Sequence, residues 1–199
     1  MKNTQSKYTR MAHIYDWVEQ RMPMNDFKKQ AVNLLQGKIL EVGIGSGANL
    51  KFYKKDSDVT GIDFSTGMLE IAKEKINTLN LNNVKLIEMN IENMNFPDNT
   101  FDSVLSTCVF CTVPNPKNGI LEILRVLKPG GKAIFLEHMK SSSSSINIFL
   151  KFMNIITTKA LGTSLLRETE KTIREVGFSK VTSKNIMMKD VVRLIIAEK

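Results

Sequence analysis

Apolar residues along the chain follow two periods, one typical of buried strands and the other of amphipathic helices. The strand pattern recurs in short apolar runs at 39–42, 58–64, 84–90, 101–110, 132–139, 178–183 and 191–197. Between the first five runs lie segments such as 66–79, with apolar residues at every third or fourth position. A helix is also predicted to begin at the glycine turn after the first run, and another is predicted over SLLRETEKTIREVGF, ending at Gly177. This alternation predicts βαβ units, and therefore a parallel sheet with right-handed crossovers. The last two runs predict an antiparallel pair at the far edge of the sheet.

Two segments lie outside this alternation. Residues 8–22 and 26–35 are predicted helices that precede the first strand, so residues 1–36 are expected to form a helical lid over one end of the sheet. Residues 141–165 are predicted to be an inserted helical segment. The serine run 141–145 is expected to be a flexible connection, and the apolar stretch 146–162 carries two lysines. That stretch is either a cover for a pocket or a helix at a membrane surface.

The amino-acid composition limits the classes of protein to which the chain can belong. The chain has 199 residues, of which 42% are hydrophobic and 24% charged, as expected for one globular domain spanning 1–199. No apolar run approaches the eighteen residues that a membrane-spanning helix needs. Its first ten residues lack the apolar core of a secretion signal, and it contains only two cysteines. We therefore expect a cytoplasmic protein, either confined to the cytoplasm or also peripheral to a membrane.

The net charge of +8 is unevenly distributed. Residues 140–174 carry six basic and two acidic side chains, whereas residues 31–139 carry eleven and twelve. The excess therefore lies mainly outside the predicted sheet core. Such a surface can attract an anionic membrane, an acidic ligand or a nucleic acid, or can simply be a solvated lysine-rich face. The chain has no recognisable RNA-binding module and no basic stripe rich in aromatic residues, so no nucleic-acid partner is expected.

The candidate chemistry begins at the glycine-rich sequence EVGIGSGA, which follows the first predicted strand. Gly43, Gly45 and Ala48 satisfy a dinucleotide pattern, and Asp63 follows about twenty positions later. The fuller pattern E-x-G-x-G-x-G begins at Glu41 and ends at Gly47. A carboxylate there suits a cofactor with an amino group and a sulfonium better than it suits a pyrophosphate. A glycine turn without a ligand, and an NAD site, remain the alternatives.

Ligands of parallel α/β sheets bind outside the carboxyl ends of the strands. This rule brings the glycine turn 43–47 together with Asp63, Asn90, Thr107 and His138, which all lie at or just beyond predicted strand ends. The sequence therefore predicts one crevice containing residues that are far apart along the chain.

Four landmarks in order complete the pattern: ILEVGIGSG, GIDFSTGML, FDSV and RVLKPGG. With them, residues 10–197 resemble the class I S-adenosylmethionine (SAM) methyltransferases, in particular the methyltransferase type 11 group. The resemblance implies an α/β, Rossmann-like sheet of seven strands. The sheet is mostly parallel with the last strand antiparallel, and helices cover both faces. It also implies that SAM is the cofactor.

The resemblance further implies roles for individual residues. Asp63 would bind the ribose hydroxyls, Phe64 and Met68 would flank the adenine, and Asn90 replaces the usual acidic residue near the adenine amino group. Tyr15 would close over the cofactor from the N-terminal helix. The predicted cofactor-binding set is Tyr15, Glu41, Gly43, Gly45, Gly47, Asp63, Phe64, Met68, Asn90, Ile91 and Thr107.

The segments CVFCTVPNPKNGILEILRVLKPGG, FLEHM and LLRETEKTIREVGF are similar to those of alkyl thiol methyltransferases. Similar segments occur in ubiquinone/menaquinone and phospholipid methyltransferases. The resemblance implies a small, apolar or amphiphilic acceptor, with a thiol as the first choice. N- or C-methylation of a phospholipid or quinone precursor at the membrane surface is the alternative. A non-catalytic SAM-binding protein and an RNA methyltransferase are further rivals. The expected oligomeric state is either a monomer or a homodimer.

His138 is the candidate catalytic residue, because it lies at the end of the fifth predicted strand; its alternative is a purely structural histidine. The Cys108-x-x-Cys111 pair lacks the second pair that a structural zinc site needs, and it follows a strand, whereas redox pairs open a helix. We therefore expect these thiols to pack beside the pocket and predict no metal.

Overall fold

The computed structural model describes residues 12–19, 21 and 23–199. Residues 12–19 are helical and form α1. The other helices are α2 (Asn25–Asn33), α3 (Thr66–Leu79), α4 (Pro116–Val126), α5 (Ser144–Leu161) and α6 (Thr169–Glu175). The strands are β1 (Lys38–Val42), β2 (Asp58–Asp63), β3 (Val84–Glu88), β4 (Phe101–Thr107), β5 (Leu127–His138), β6 (Lys180–Met187) and β7 (Val192–Glu198).

The seven strands form one sheet in the order β3-β2-β1-β4-β5-β7-β6. The pairs among β1 to β5 are parallel, and β7 lies antiparallel between β5 and β6. The predicted fold class, a seven-stranded, mostly parallel Rossmann-like sheet with an antiparallel last strand, is confirmed. The strand order reverses between β1 and β4, which run parallel to each other, and open α/β sheets bind ligands at such a switch point.

Helices cover both faces of the sheet because successive strand side chains alternate between two apolar cores. Leu40 and Val42 face one core, which contains Ile120 of α4 and Ile173 of α6. Ile39 faces the other core, together with residues of α2 and α3. Strands buried on both faces explain why the central runs are almost continuously apolar.

Several predicted elements differ in the structure. β5 begins at Leu127 instead of residue 132, and β6 is Lys180–Met187 instead of 178–183. The glycine turn does not lead into an α-helix; it is followed by a short 3-10 helix, Leu50–Phe52, which turns the chain back under β1. β4 ends at Thr107, not at residue 110, because Cys108 adopts a left-handed backbone with φ of 55°. The predicted helix over the segment SLLRETEKTIREVGF is shorter, and only Thr169–Glu175 is helical.

The serine run is also different from the prediction. Ser141 is buried, its hydroxyl donates to Asp190, and its backbone amide donates to Asn147 Oδ1 at 2.9 Å. The backbone amide of Ser142 donates to Asp190 Oδ2 at 2.7 Å. The expectation of a flexible connection was therefore wrong, because Asp190 and Asn147 hold Ser141 and Ser142 in place directly before α5 begins at Ser144. The N-terminal helix prediction is seen over 12–19, and its other residues lie mostly outside the described part.

Candidate functional site

A cavity of about 450 Å³ opens at the carboxyl ends of β1, β2, β4 and β5. Its size is typical of small-molecule sites. Of the twelve residues predicted from sequence, ten line it: Tyr15, Gly43, Gly45, Asp63, Phe64, Met68, Asn90, Ile91, Thr107 and His138. Glu41 and Gly47 lie outside the lining.

The glycine turn lets a ligand approach the backbone. Gly43 has φ of +62°, and a Cβ there would lie 2.5 Å from Val109 Cγ2, so a side chain has no room. Gly45 has φ of +56°, but a Cβ there would meet nothing nearer than the Gly43 carbonyl oxygen at 3.9 Å. The space in front of Gly45 is therefore open to the cavity, as close backbone contact with a ligand requires.

Asp63 ends β2 with its carboxylate beside this turn. Its Oδ2 accepts a hydrogen bond of 2.9 Å from the backbone amide of Gly45, and its Oδ1 accepts one of 2.8 Å from that of Ser65. Burial raises the pKa of Asp63 to about 6, while these backbone hydrogen bonds oppose the rise. The side chain is therefore ionised at neutral pH, and each oxygen keeps acceptor capacity for a hydroxyl group.

Glu41 does not line the cavity, although it belongs to the predicted cofactor-binding set. It is buried behind the turn, where it accepts from Asn49 Nδ2 at 2.7 Å and from the Tyr53 hydroxyl at 2.8 Å. Asn49 Nδ2 also donates to Thr107 Oγ1 at 3.0 Å. Burial raises the pKa of Glu41 to about 7. Glu41 thus fastens the chain after the turn to β1, and Gly47 accommodates the Leu50 side chain of the same segment.

These residues fit SAM in chemical type. The ionised carboxylate of Asp63 can accept hydrogen bonds from the two hydroxyls of a diol. The backbone at Gly45 is open to close contact with a ligand. The side chains of Phe64, Met68 and Ile91 supply the apolar surface that a purine needs.

The part of the cavity away from the turn is mainly apolar, and its polar side chains are His138, Thr112, Thr157 and Thr163. His138 Nε2 is buried and has no hydrogen-bond partner among the described residues. Desolvation by burial lowers the pKa of His138 below its ordinary value of 6.5. The imidazole is therefore neutral at pH 7 and can accept a hydrogen bond or a proton from a ligand.

Both cysteines line the same region as free thiols. Burial raises the pKa of Cys108 to about 12 and that of Cys111 well above its usual range. Buried, protonated thiols act as small apolar groups, and thiolate chemistry is suppressed. Across 12–19, 21 and 23–199, no group of three or more histidine, cysteine or acidic side chains is placed to hold a metal ion.

An ion pair between Lys28 of α2 and Glu19 of α1 lines the cavity and was missed from the sequence. Lys28 is only 5% exposed, and desolvation lowers its pKa. The sequence did contain a signal for the burial of Lys28. This residue shares a helix face with the apolar residues Ala31 and Val32, three and four positions later, and both are buried.

Comparison with known proteins agrees with this geometry. Residues 40–135 match the family model described as a methyltransferase domain. The chain is 38% identical to phosphatidylethanolamine N-methyltransferase of Cereibacter sphaeroides, covering 66% of both chains. It is 34% identical to thiol S-methyltransferase TMT1A of Homo sapiens, covering 74% of this chain and 62% of the relative. It is 31% identical to the ubiquinone/menaquinone biosynthesis C-methyltransferase UbiE of Rickettsia bellii, covering 92% and 85%.

The chain therefore spans about two thirds or less of the length of the first two relatives. Among solved structures, a SAM-dependent methyltransferase from Thermotoga maritima superposes with a TM-score of 0.75 at 20% identity, covering 98% of this chain and 99% of that one. A Haemonchus contortus N-methyltransferase in complex with S-adenosylhomocysteine superposes with a TM-score of 0.73 at 16% identity, covering 98% and 60%. At these identities the likeness establishes the shared fold.

Proposed function

This chain belongs to the SAM-dependent methyltransferases that carry the methyltransferase domain, and we propose that it methylates a small apolar or amphiphilic acceptor, with a thiol as the first candidate. One observation carries the proposal. A single cavity joins the buried carboxylate of Asp63 at one end to a mainly apolar wall with His138 at the other. A polar cofactor and an apolar acceptor can therefore meet in the same space.

The cofactor supplies an electrophilic methyl group and a neutral leaving group when bound. The residues that we propose to hold it are Tyr15, Gly43, Gly45, Asp63, Phe64, Met68, Asn90, Ile91 and Thr107, with Glu41 and Gly47 supporting the turn from behind. The orientation of Asp63 is fixed by two backbone amides, so its carboxylate needs no reorganisation before it binds the ribose hydroxyls.

The acceptor end combines apolar side chains with the imidazole of His138 and the hydroxyls of Thr112, Thr157 and Thr163. Val113, Pro114 and Leu165 contribute to its wall, and His138 presents a neutral imidazole nitrogen. A thiol fits this arrangement because it has an apolar body and one weak donor, and partial removal of its proton makes it nucleophilic. We propose that His138 accepts this proton. Positioning then supplies much of the remaining rate, since methyl transfer requires an in-line approach.

The N-terminal residues 1–36 are proposed to be a lid, because three residues in the described part of this segment, Tyr15, Val18 and Met24, line the cavity.

The proposed location is the cytoplasm, and the free cysteines accord with it. Within the described residues, no helix is long and apolar enough to cross a bilayer.

A second candidate is methylation of a phospholipid or a quinone precursor at a membrane surface. It is supported by the relatives that act on such acceptors and by the exposed apolar side chains of α5, including Phe149 and Phe152. In this version the acceptor head group occupies the end of the cavity near His138, and its chain remains in the lipid.

An acceptor panel tests the proposal. SAM carrying a tritiated methyl group is incubated with the protein and an alkyl thiol, phosphatidylethanolamine or demethylmenaquinol. Transfer to the thiol that is lost in Asp63→Asn supports the first candidate. Transfer only to the lipid or the quinol replaces it with the second candidate. Binding of S-adenosylhomocysteine without transfer to any acceptor would contradict both candidates.

A further inference from the structure

The helix α5 is arranged with its most apolar face toward solvent. Ile148, Phe149, Phe152, Ile155 and Ile156 fall on one side of the helix, and each is between 54% and 66% exposed. Such a contiguous row of large apolar side chains differs from the isolated exposed residues that are normal on protein surfaces.

The opposite face of α5 is held to the domain by the buried side chain of Leu150, which is 3% exposed, and by polar contacts. Asn147 Nδ2 donates to the Ser141 carbonyl oxygen at 2.7 Å, and Asn154 Oδ1 accepts from the Leu165 amide at 2.7 Å. Thr157 Oγ1 donates to the Thr163 carbonyl oxygen at 3.3 Å. Together with the burial of Leu150, these hydrogen bonds determine which face of α5 turns outward, and the apolar row is on that outward face.

The helix α1 presents apolar side chains of the same kind. Ile14, Trp17 and Val18 are 57%, 58% and 47% exposed. Val18 also lines the cavity, as does Thr157 of α5. The two exposed faces therefore flank the same cavity. Together they form what we call the docking face, consisting of Ile14, Trp17, Val18, Ile148, Phe149, Phe152, Ile155 and Ile156.

The charges around the docking face are mainly positive. α5 contains Lys151 and Lys159 and no acidic residue. Arg21 follows α1, and its guanidinium carbon lies 3.9 Å from the centre of the Trp17 ring. The two acids of α1 are engaged elsewhere, because Asp16 pairs with Lys75 and Glu19 pairs with Lys28. Exposed cations beside an apolar row match a bilayer that contains anionic lipids.

We propose that the docking face binds the surface of a bilayer containing anionic lipids and thereby turns the mouth of the cavity toward the membrane. Phe149, Phe152 and the neighbouring isoleucines enter the interfacial layer, while Lys151 and Lys159 contact the head groups. An apolar acceptor dissolved in the membrane then reaches His138 without crossing water. This last step rests on the proposed function, whereas the docking itself does not.

Vesicle co-sedimentation tests the docking without cofactor or acceptor. The probes are vesicles of phosphatidylcholine and of phosphatidylcholine with phosphatidylserine, at low and at high salt. The unmodified chain is expected to bind the anionic vesicles and to bind them more weakly at high salt. Phe149→Gln with Phe152→Gln should weaken binding on the order of a hundredfold, since two aromatic side chains lose their burial in lipid. Lys151→Glu with Lys159→Glu should weaken it about tenfold or more.

Matched controls lie on other helices. Leu121→Gln on α4 removes an exposed apolar side chain that is 40% accessible, and Lys73→Glu on α3 reverses an exposed charge. Both should bind vesicles like the unmodified chain. Circular dichroism confirms that each variant is folded.

Two results would overturn the proposal. One is equal vesicle binding by the unmodified chain and the Phe149→Gln, Phe152→Gln variant. The other is no binding of anionic vesicles by the unmodified chain. In that case a dimer in sedimentation velocity that this variant dissociates would assign the docking face to a second copy of the chain. Methyl transfer to a water-soluble thiol without vesicles is measured separately, so failure of docking and failure of the proposed function are distinguishable.

Discussion

The backbone amide of Gly45 donates a hydrogen bond of 2.9 Å to Asp63 Oδ2. The two residues are eighteen positions apart and meet because β1 and β2 pair in parallel, with Val42 opposite Ile62. The glycine turn and the acid of β2 are therefore one unit. The carboxylate is oriented by the same turn that leaves space for the ligand.

Asp63→Asn tests whether this carboxylate holds the cofactor. The amide loses the charge and one acceptor oxygen, so the affinity for S-adenosylhomocysteine should fall by about 2–3 kcal/mol, or roughly thirty- to more than a hundredfold. Isothermal titration calorimetry measures the change. Asp58→Asn, at the exposed start of the same strand, is the matched control and should bind like the unmodified chain. Equal affinities in all three proteins would remove Asp63 from the site.

The glycines 43 and 45 should respond differently to alanine. Gly45→Ala places a methyl group in open cavity space, so it should cost about 1–2 kcal/mol of stability from the left-handed backbone and strongly weaken cofactor binding. Gly43→Ala adds a clash with Val109 to the same backbone cost and should destabilise the fold more. Urea unfolding and calorimetry separate the two effects. A Gly45→Ala variant with unchanged cofactor affinity would be inconsistent with ligand contact at the turn.

The sequence was sufficient for the sheet and for ten of the residues that line the cavity, most of which lie at or near strand ends. Asp63 is the last residue of β2, so any ligand at the carboxyl edge meets it. Glu41 shows why the rest could not be predicted. Its partner Tyr53 directly follows a 3-10 helix where the pattern predicted an α-helix, and that backbone path depends on packing. Likewise, the hydrogen bonds from Ser141 and Ser142 to Asp190 span almost fifty positions, which no local pattern encodes.

Buried glutamates should make the fold more stable in mild acid. Burial raises the pKa of Glu41 and of Glu137 to about 7, from an ordinary value of 4.5. Between these values the folded chain binds more protons than the unfolded chain, so the free energy of unfolding rises as pH falls from 8 to 5.5. Each residue contributes about 2 kcal/mol over that range.

Urea unfolding at the two pH values measures this dependence. Glu137→Gln should reduce the slope, since it removes one of the carboxyls whose pKa burial raises, whereas the exposed Glu175→Gln should leave it unchanged. A stability that increases from pH 5.5 to pH 8 would show that these carboxyls are not perturbed as the structure indicates.

His138→Ala tests the proposed proton acceptor. Transfer to a thiol should fall by about a hundredfold, while the affinity for S-adenosylhomocysteine stays the same. In the unmodified enzyme the rate should decrease on the acid side at a pH below 6.5, where the imidazole becomes protonated, and this limb should be absent in the variant. Steady-state kinetics across pH provides both readouts. An unchanged rate and an unchanged acid limb would assign His138 a structural role only.

The central claim is that the cavity at the carboxyl ends of β1, β2 and β4 is a SAM site. Calorimetric titration of the unmodified chain with S-adenosylhomocysteine tests it most directly. The structure predicts saturable binding at one site per chain, with NAD producing no signal. Saturable binding of NAD with none of S-adenosylhomocysteine would contradict the assignment of the glycine turn and Asp63 to SAM.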